Sequence, residues 1–302
     1  MAEALKAGPR PVIEELHFRR ESVYVSLVVN RRHRTARVVD FLAGNFPQKQ
    51  AAIEAIAAKE GLERVYTLVE KEESSGWQRV GYAREGSIPG YYKRSDAYVM
   101  GHLFGGTPLD EEGRGVSAAD LAAAERLMAA ARKLSPTMEV NPRTFKVQVS
   151  SDEEVGATRT GTRSKKAGAW FEERFGRSGQ RIHAFVRPVR ANSRAGEQWV
   201  SAELQEPFGN AFVQLGTLPA RVEDSVLLVG ALNALAEQLR PREVSCSFAV
   251  VPVGDAHVAA AMLLAGFRKT GLLARHVLLG DRRTDGILWT RKATATEGPE
   301  AA

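Results

Sequence analysis

The sequence predicts an α/β chain of two domains. Three observations predict it: a length of 302 residues, an ordinary supply of apolar side chains, and a helix–strand–helix–glycine unit that occurs twice. The length is about twice that of a typical domain. At 44% hydrophobic and 26% charged, the composition can build cores and excludes a wholly disordered chain. The predicted organisation is a first domain over 12–104, a Gly-rich linker plus helix over 105–143, a second domain over 144–292, and a flexible tail over 293–302.

The elements follow in order. Ser22–Asn30 and Thr35–Leu42 are rich in β-branched and aromatic residues, which predicts strands across 12–45, with Asn30-Arg-Arg-His-Arg34 as a basic hairpin tip. Ala52, Ile53, Ile56 and Ala57 recur at helical spacing within 48–59, and Gly61 follows as a stop. Val65–Val69 reads as a short strand, and Ser74-Ser75-Gly76 as a turn before a short helix at Trp77–Val80. Five glycines and a proline in 101–116 predict a linker. Ser117-Ala-Ala-Asp120 then supplies an N-cap and an acidic third residue to a helix that ends with Arg132 and Lys133, where the helix dipole favours cations.

Strands are predicted at 145–149, 182–189, 198–204, 210–218, 244–251, 272–279 and 286–291, and helices at 225–239 and 255–264. Residues 150–181 are polar, Gly-rich and basic. The duplicated unit is helix 48–60, strand 65–69, short helix and Gly81-Tyr-Ala-Arg-Glu-Gly86, against helix 225–239, strand 244–251, helix 255–264 and Gly266-Phe-Arg-Lys-Thr-Gly271. A glycine after a helix takes the left-handed cap, and the aromatic that follows packs back onto the helix it ends.

Charge and cysteine usage narrow the classes of function. The 42 Lys and Arg exceed the 36 Asp and Glu by six, a balance that permits an acidic partner without requiring one. No apolar stretch approaches the roughly 18 residues needed to span a bilayer, and the start is broken by Lys6, Pro9, Arg10 and Pro11. The single cysteine, Cys246, excludes an internal disulfide, and no Cys/His cluster has zinc spacing. A cytoplasmic protein is the expectation. No phosphate-binding P-loop, HExxH metalloprotease motif or GxSxG elbow occurs.

The helix–strand–helix–Gly-aromatic–hairpin unit resembles the C-terminal half of the Gcn5-related N-acetyltransferase (GNAT) fold. Gly81 to Met100 is similar to the end of the N-terminal domain in the two-domain beta-lysine N-acetyltransferases. Leu215-Gly-Thr-Leu-Pro219, Leu263 to Gly271 and Gly286-Ile-Leu-Trp289 are similar to landmarks of their catalytic domain. The resemblance covers about 12–104 and 182–292. It implies two GNAT-like domains, each a mostly antiparallel mixed sheet flanked by helices, with acetyl-CoA as cofactor and an amine as acceptor.

That reaction places a loop of Arg/Gln-x-x-Gly-x-Gly/Ala type before a helix, so that bare backbone N–H groups meet the pyrophosphate. The matching stretch runs from Pro219 to Leu228. Arg221 stands at the leading basic position, Ser225 lies within the motif, and Asp224 and Val226 replace the glycines. One carboxylate 4 Å from a phosphate charge costs about 4 kcal/mol at an effective dielectric near 20. The first repeat, Ala43-Gly-Asn-Phe-Pro-Gln48, also lacks a spaced glycine pair. Family members usually protonate the departing thiolate with a tyrosine, but all six tyrosines lie between 24 and 98. The candidate catalytic residues in the second domain are Glu203 and Glu206 at a strand end, Cys246 on a central strand, and His257 at a helix start.

Two classes of function are therefore expected. One is a non-catalytic regulatory or scaffolding protein that binds a protein partner and uses no cofactor. The other is an acetyl-CoA-dependent N-acetyltransferase of a small amine or a lysine side chain. Candidate partner-binding cations are Arg31, Arg32 and Arg34 on the hairpin tip and Lys165 and Lys166 in the basic segment. A third reading gives those basic loops to nucleic acid, with Trp170 and Phe171 as stacking groups.

Overall fold

A computed structural model describes residues 12–20, 23–39, 44–104, 115–152, 154, 175, 180–190 and 193–292. Lys165, Lys166, Trp170 and Phe171, most of the linker, and the tail lie outside the described residues. Contacts divide the chain into two compact units, Met1–Arg84 with Tyr98–Gly115, and Glu85–Ala97 with Val116–Ala302.

In chain order the first elements are β1 (Ile13–Arg20), β2 (Val23–Asn30), β3 (Thr35–Val38), α1 (Phe46–Glu60), β4 (Arg64–Val69) and α2 (Lys71–Arg79). Then come β5 (Ala83–Ile88), β6 (Ala97–Leu103) and α3 (Ala118–Leu134). The chain continues through β7 (Phe145–Ser151), β8 (Arg181–Pro188), β9 (Gln198–Gln205) and β10 (Asn210–Leu215). It ends with α4 (Val222–Leu239), β11 (Cys246–Pro252), α5 (Ala256–Leu264), β12 (Arg268–Leu279) and β13 (Arg282–Lys292). Among the described residues no helix is long and apolar enough to cross a membrane.

In the first unit the sheet order is β1-β2-β3-β4-β6. All neighbours are antiparallel except β3 and β4, which run parallel with α1 between them in sequence. α1 closes on Gly61, whose φ of +65° is the left-handed cap. Ile53 and Ala57 lie in the core with Val25, Leu27, Val65 and Trp77. Burying a side chain the size of Ile53 is worth about 1.5–3 kcal/mol.

α2 differs from the expected turn and short helix. It already begins at Lys71, and Ser74 and Gly76 lie within it. A Cβ on Gly76 would stand 2.3 Å from the Phe46 ring, so the glycine is what lets α2 approach α1. After Gly81 (φ +90°), Tyr82 is fully buried and meets Trp77 edge-on at 4.8 Å, which is the packing expected after a glycine cap.

In the second unit the sheet order is β5-β12-β13-β11-β10-β9-β8-β7, and only β10 and β11 run parallel. α4 covers β7, β8 and β9, and packs against α5, which in turn packs on α3. That sandwiched position explains why α4 is apolar around most of its circumference, with Leu227, Leu228, Val229, Leu232 and Leu235 all buried. A Cβ on Gly230 would reach the Phe145 ring at 2.8 Å, so here too a glycine sets a close helix–strand approach. Ser117 caps α3 as the sequence predicts, accepting from Asp120 N at 3.2 Å and donating to its carboxylate at 2.6 Å.

The paired register separates two unlike faces of this sheet. Ala184, Val200, Ala202, Ala211, Val213 and Leu215 share the α4 face, while the opposite face carries Arg181, His183, Trp199, Ser201, Glu203, Asn210, Phe212 and Gln214. A buried face this polar needs internal partners, and its ionic groups have them: Arg181 pairs with Glu203 at 3.0 Å and His183 with Asp152 at 2.7 Å.

Candidate functional site

β10 and β11 pair at only three positions, Asn210↔Cys246, Ala211↔Ser247 and Phe212↔Phe248. β10 continues to Leu215 and β11 to Pro252, so the strands part after Phe212 and Phe248. Each leads into a helix, α4 or α5. Two helix N-termini beside parted parallel strands make a place where an anionic ligand can be held.

The residues at that place are occupied with one another. α4 begins at Val222, three residues before the expected start at Ser225, so Asp224, Ser225 and Val226 sit inside the helix rather than on a loop. Ser225 is fully buried; its hydroxyl lies 3.0 Å from Arg221 O and 3.2 Å from His257 O, sharing one proton between them and joining the starts of α4 and α5. Asp224 accepts from Gly196 N at 2.9 Å, so the chain ahead of β9 lies across the first turn. Gly216 N donates to Trp199 O at 2.7 Å, and a Cβ on Gly216 would stand 2.4 Å from the Trp199 ring. Thr217 donates to the Gln198 side chain at 2.7 Å. Arg221 is exposed at the N-cap position and makes no capping bond with its side chain. The two carboxylates Glu223 and Asp224 in the first turn set negative charge where a CoA pyrophosphate would lie, so these residues fit it poorly.

Below the point of parting the floor is aromatic. Phe212 and Phe248 stand 5.3 Å apart by ring centroid, and Phe175 lies 4.9 Å from each. Tyr91 extends the cluster, at 5.7 Å from Phe248 and 5.6 Å from Phe208. Phe175 comes from the segment that sequence reasoning took as polar and basic. Its only signal there was an isolated aromatic among charges.

The four candidate catalytic residues fall in four different settings. Glu203 is 1% exposed and accepts from Phe175 N at 3.1 Å, from Arg181 at 3.0 and 3.3 Å, and from Gln205 at 2.9 Å. Its lone pairs therefore fasten Phe175 and balance Arg181. Glu206 stands exposed on the turn between β9 and β10. Cys246 is buried, and burial together with the Asp96 charge pushes its thiol up to about 12, against a smaller lowering from the Ser245 hydrogen bond. A thiol so shifted carries almost no thiolate at neutral pH. His257 pairs through Nδ1 with Asp255 at 2.7 Å, and Asp255 also accepts His257 N as the cap of α5.

The basic hairpin tip is largely neutralised. Arg31 pairs with both Glu14 and Glu60, whose hydrogen bonds hold its guanidinium above the ordinary arginine value. Arg34 pairs with Glu63 at 2.6 Å, while Arg32 is exposed. Among the described residues no group of His, Cys, Asp and Glu could hold a metal ion.

No protein-family model matches the chain, and no curated protein matches it. It is similar to solved structures of acetyltransferases. One is spermidine N-acetyltransferase from Vibrio cholerae in complex with CoA and spermine, at 12% identity and TM-score 0.36, covering 50% of this chain and 97% of that one. Another is the ribosomal-protein-S18-alanine N-acetyltransferase from Escherichia coli, at 16% identity and TM-score 0.35, covering 51% of this chain and 98% of that one. The second unit carries its own signature: seven strands in the order β7-β8-β9-β10-β11-β13-β12, with one parallel pair that brackets a helix and then parts. The first unit repeats the same parallel step at β3-α1-β4. This arrangement resembles the Gcn5-related N-acetyltransferase fold.

Proposed function

We propose that this is a non-catalytic protein of acetyltransferase fold, which acts in a regulatory or scaffolding role by binding a protein partner. One observation carries the reading. The buried Ser225 hydroxyl ties the start of α4 to the start of α5, across the ground a pyrophosphate would need. The acids Glu223 and Asp224, the high thiol value of Cys246 and the commitment of Glu203 to Arg181 and Phe175 support it.

The test is thermal unfolding with acetyl-CoA. A ligand at 100 times its dissociation constant adds about 2.7 kcal/mol to folding stability. The expected result is an unchanged midpoint at millimolar acetyl-CoA; a clear rise overturns the proposal. For the partner, capture from lysate with the full chain and with 150–181 deleted is compared, and the basic segment contributes if the captured set shrinks.

A second reading, an acetyl-CoA-dependent N-acetyltransferase of a small amine or lysine side chain, is favoured by the parting of β10 from β11 beyond Phe212 and Phe248. Release of free CoA thiol in the presence of an amine mixture would establish it.

A further inference from the structure

At the end of β10 opposite to α4, a cavity of about 280 Å³ opens in the second unit. Lys93, Glu206, Asn210, Arg242 and Glu243 are among the residues that line it. Asn210 is 1% exposed; its Nδ2 donates to Tyr91 O at 3.1 Å, and its Oδ1, among the described residues, has no hydrogen-bond partner. A buried amide oxygen left without a donor costs about 1–3 kcal/mol, so such atoms call for an explanation.

The backbone around the cavity is unusual as well. Lys93 (φ +67°), Gly209 (φ +63°) and Glu243 (φ +54°) all take the left-handed conformation, and two of them are not glycine. Left-handed conformations at such residues persist only when neighbours hold them, and they gather at ligand sites. Here the holding is visible. The Ser245 hydroxyl lies 2.7 Å from Gly209 O and 3.3 Å from Gly90 O, and Lys93 N donates to Gly90 O at 3.1 Å.

The charges identify the ligand. Two cations, Lys93 and Arg242, and two carboxylates, Glu206 and Glu243, line one small cavity, and among the described residues none of the four forms an ion pair. Arg242 spends one donor on Gln238 O at 3.2 Å and keeps the rest of its fork. A simple anion would meet two carboxylates, and a simple cation would meet two positive charges. A ligand carrying both an ammonium and a carboxylate satisfies each pair, and Asn210, whose Oδ1 lacks a donor among the described residues, lines the same cavity. The volume lies just under the usual range for small-molecule sites, which suits a molecule of a few heavy atoms.

We propose that this cavity binds a free amino acid in its zwitterionic form. The site goes beyond the reading of the α4 terminus and does not depend on it. The experiment is calorimetric titration of the full chain with L-alanine, L-glutamine and L-ornithine, each in turn, and with putrescine and glutarate, which carry one kind of charge only. Saturable binding of at least one amino acid is expected, with both single-charge probes at least about tenfold weaker. Arg242→Gln and Glu206→Gln change exposed side chains and should keep the fold by circular dichroism, while each weakens that amino acid by about tenfold. The proposal is overturned if none of the three amino acids binds. It is equally overturned if putrescine or glutarate binds as well as they do, or if both variants keep the parent affinity.

Discussion

Gly86 and Gly271 face each other where β5 crosses β12. A Cβ built on Gly271 would stand 2.7 Å from Gly86 Cα and 2.6 Å from Glu85 O. Both are the second glycine of the repeated Gly–x4–Gly motif, so a pattern visible in the sequence has a steric reason that the sequence does not display. The neighbouring bond from Ala274 N to Glu85 Oε1, at 3.2 Å, holds the same crossing.

Gly271→Ala should therefore lower stability by about 1–3 kcal/mol, because the obstructing atoms are backbone and cannot rotate away. Urea unfolding measures it. Gly254→Ala, where a Cβ meets nothing within 4 Å, is the matched control and should shift the midpoint far less.

Gly216→Ala should displace the Trp199 ring, which stands 2.4 Å from the added carbon. The expected cost is about 1–3 kcal/mol, accompanied by a red shift of tryptophan emission as the indole gains water. Unchanged emission and stability would show that the ring does not lie over the loop before α4.

Glu203→Ala removes the carboxylate that pairs with Arg181 and holds Phe175 N. It leaves a half-buried guanidinium uncompensated, and about 3–5 kcal/mol of destabilisation is expected by chemical denaturation. Glu206→Ala, on an exposed turn, should stay within about 0.5 kcal/mol of the parent.

Cys246 gives stability a defined pH dependence. Its thiol titrates at about 12 in the fold, above the ordinary value of 9.0. Folding therefore favours the protonated thiol: its contribution is full below pH 9.0 and is lost as pH rises toward 12. The urea midpoint should fall across that window, and Cys246→Ala should flatten the fall. Alkylation by iodoacetamide at pH 8 should be slow in the native protein and fast in urea.

Glu223→Gln combined with Asp224→Gly and Val226→Gly would remove two carboxylates from the first turn of α4 and restore bare backbone there. Each glycine costs about 1 kcal/mol of helix stability. The triple variant should gain an acetyl-CoA-dependent rise in melting temperature that the parent lacks. A triple variant that folds and still ignores acetyl-CoA would show that the Ser225–His257 link alone closes the site.

Much of the architecture was legible in order and kind. The repeated helix–strand–helix–glycine unit, the Ser117 cap and the glycine stops are local signals, carried by periodicity and by backbone conformations that few residues adopt. Boundaries were less legible where packing intervened. Ser74-Ser75-Gly76 reads as a turn by composition, but inside α2 the glycine is what admits the Phe46 ring. The missing glycines at Asp224 and Val226 were plain in the sequence, as were the acids beside them. That α4 would start at Val222 and draw Ser225 into its first turn was not.

By itself the sequence determined the succession of elements, the duplicated unit and the absence of spaced glycines at Asp224 and Val226, because each depends on neighbours along the chain. The tertiary structure alone decided that Ser225 reaches His257, that Glu203 serves Arg181 and Phe175, and that Lys93, Asn210 and Glu243 share one cavity. Those residues are separated by 22 positions, between Arg181 and Glu203, up to 150, between Lys93 and Glu243. Such meetings follow from strand order and register, which are fixed by the packing of whole faces, and no local spacing encodes them.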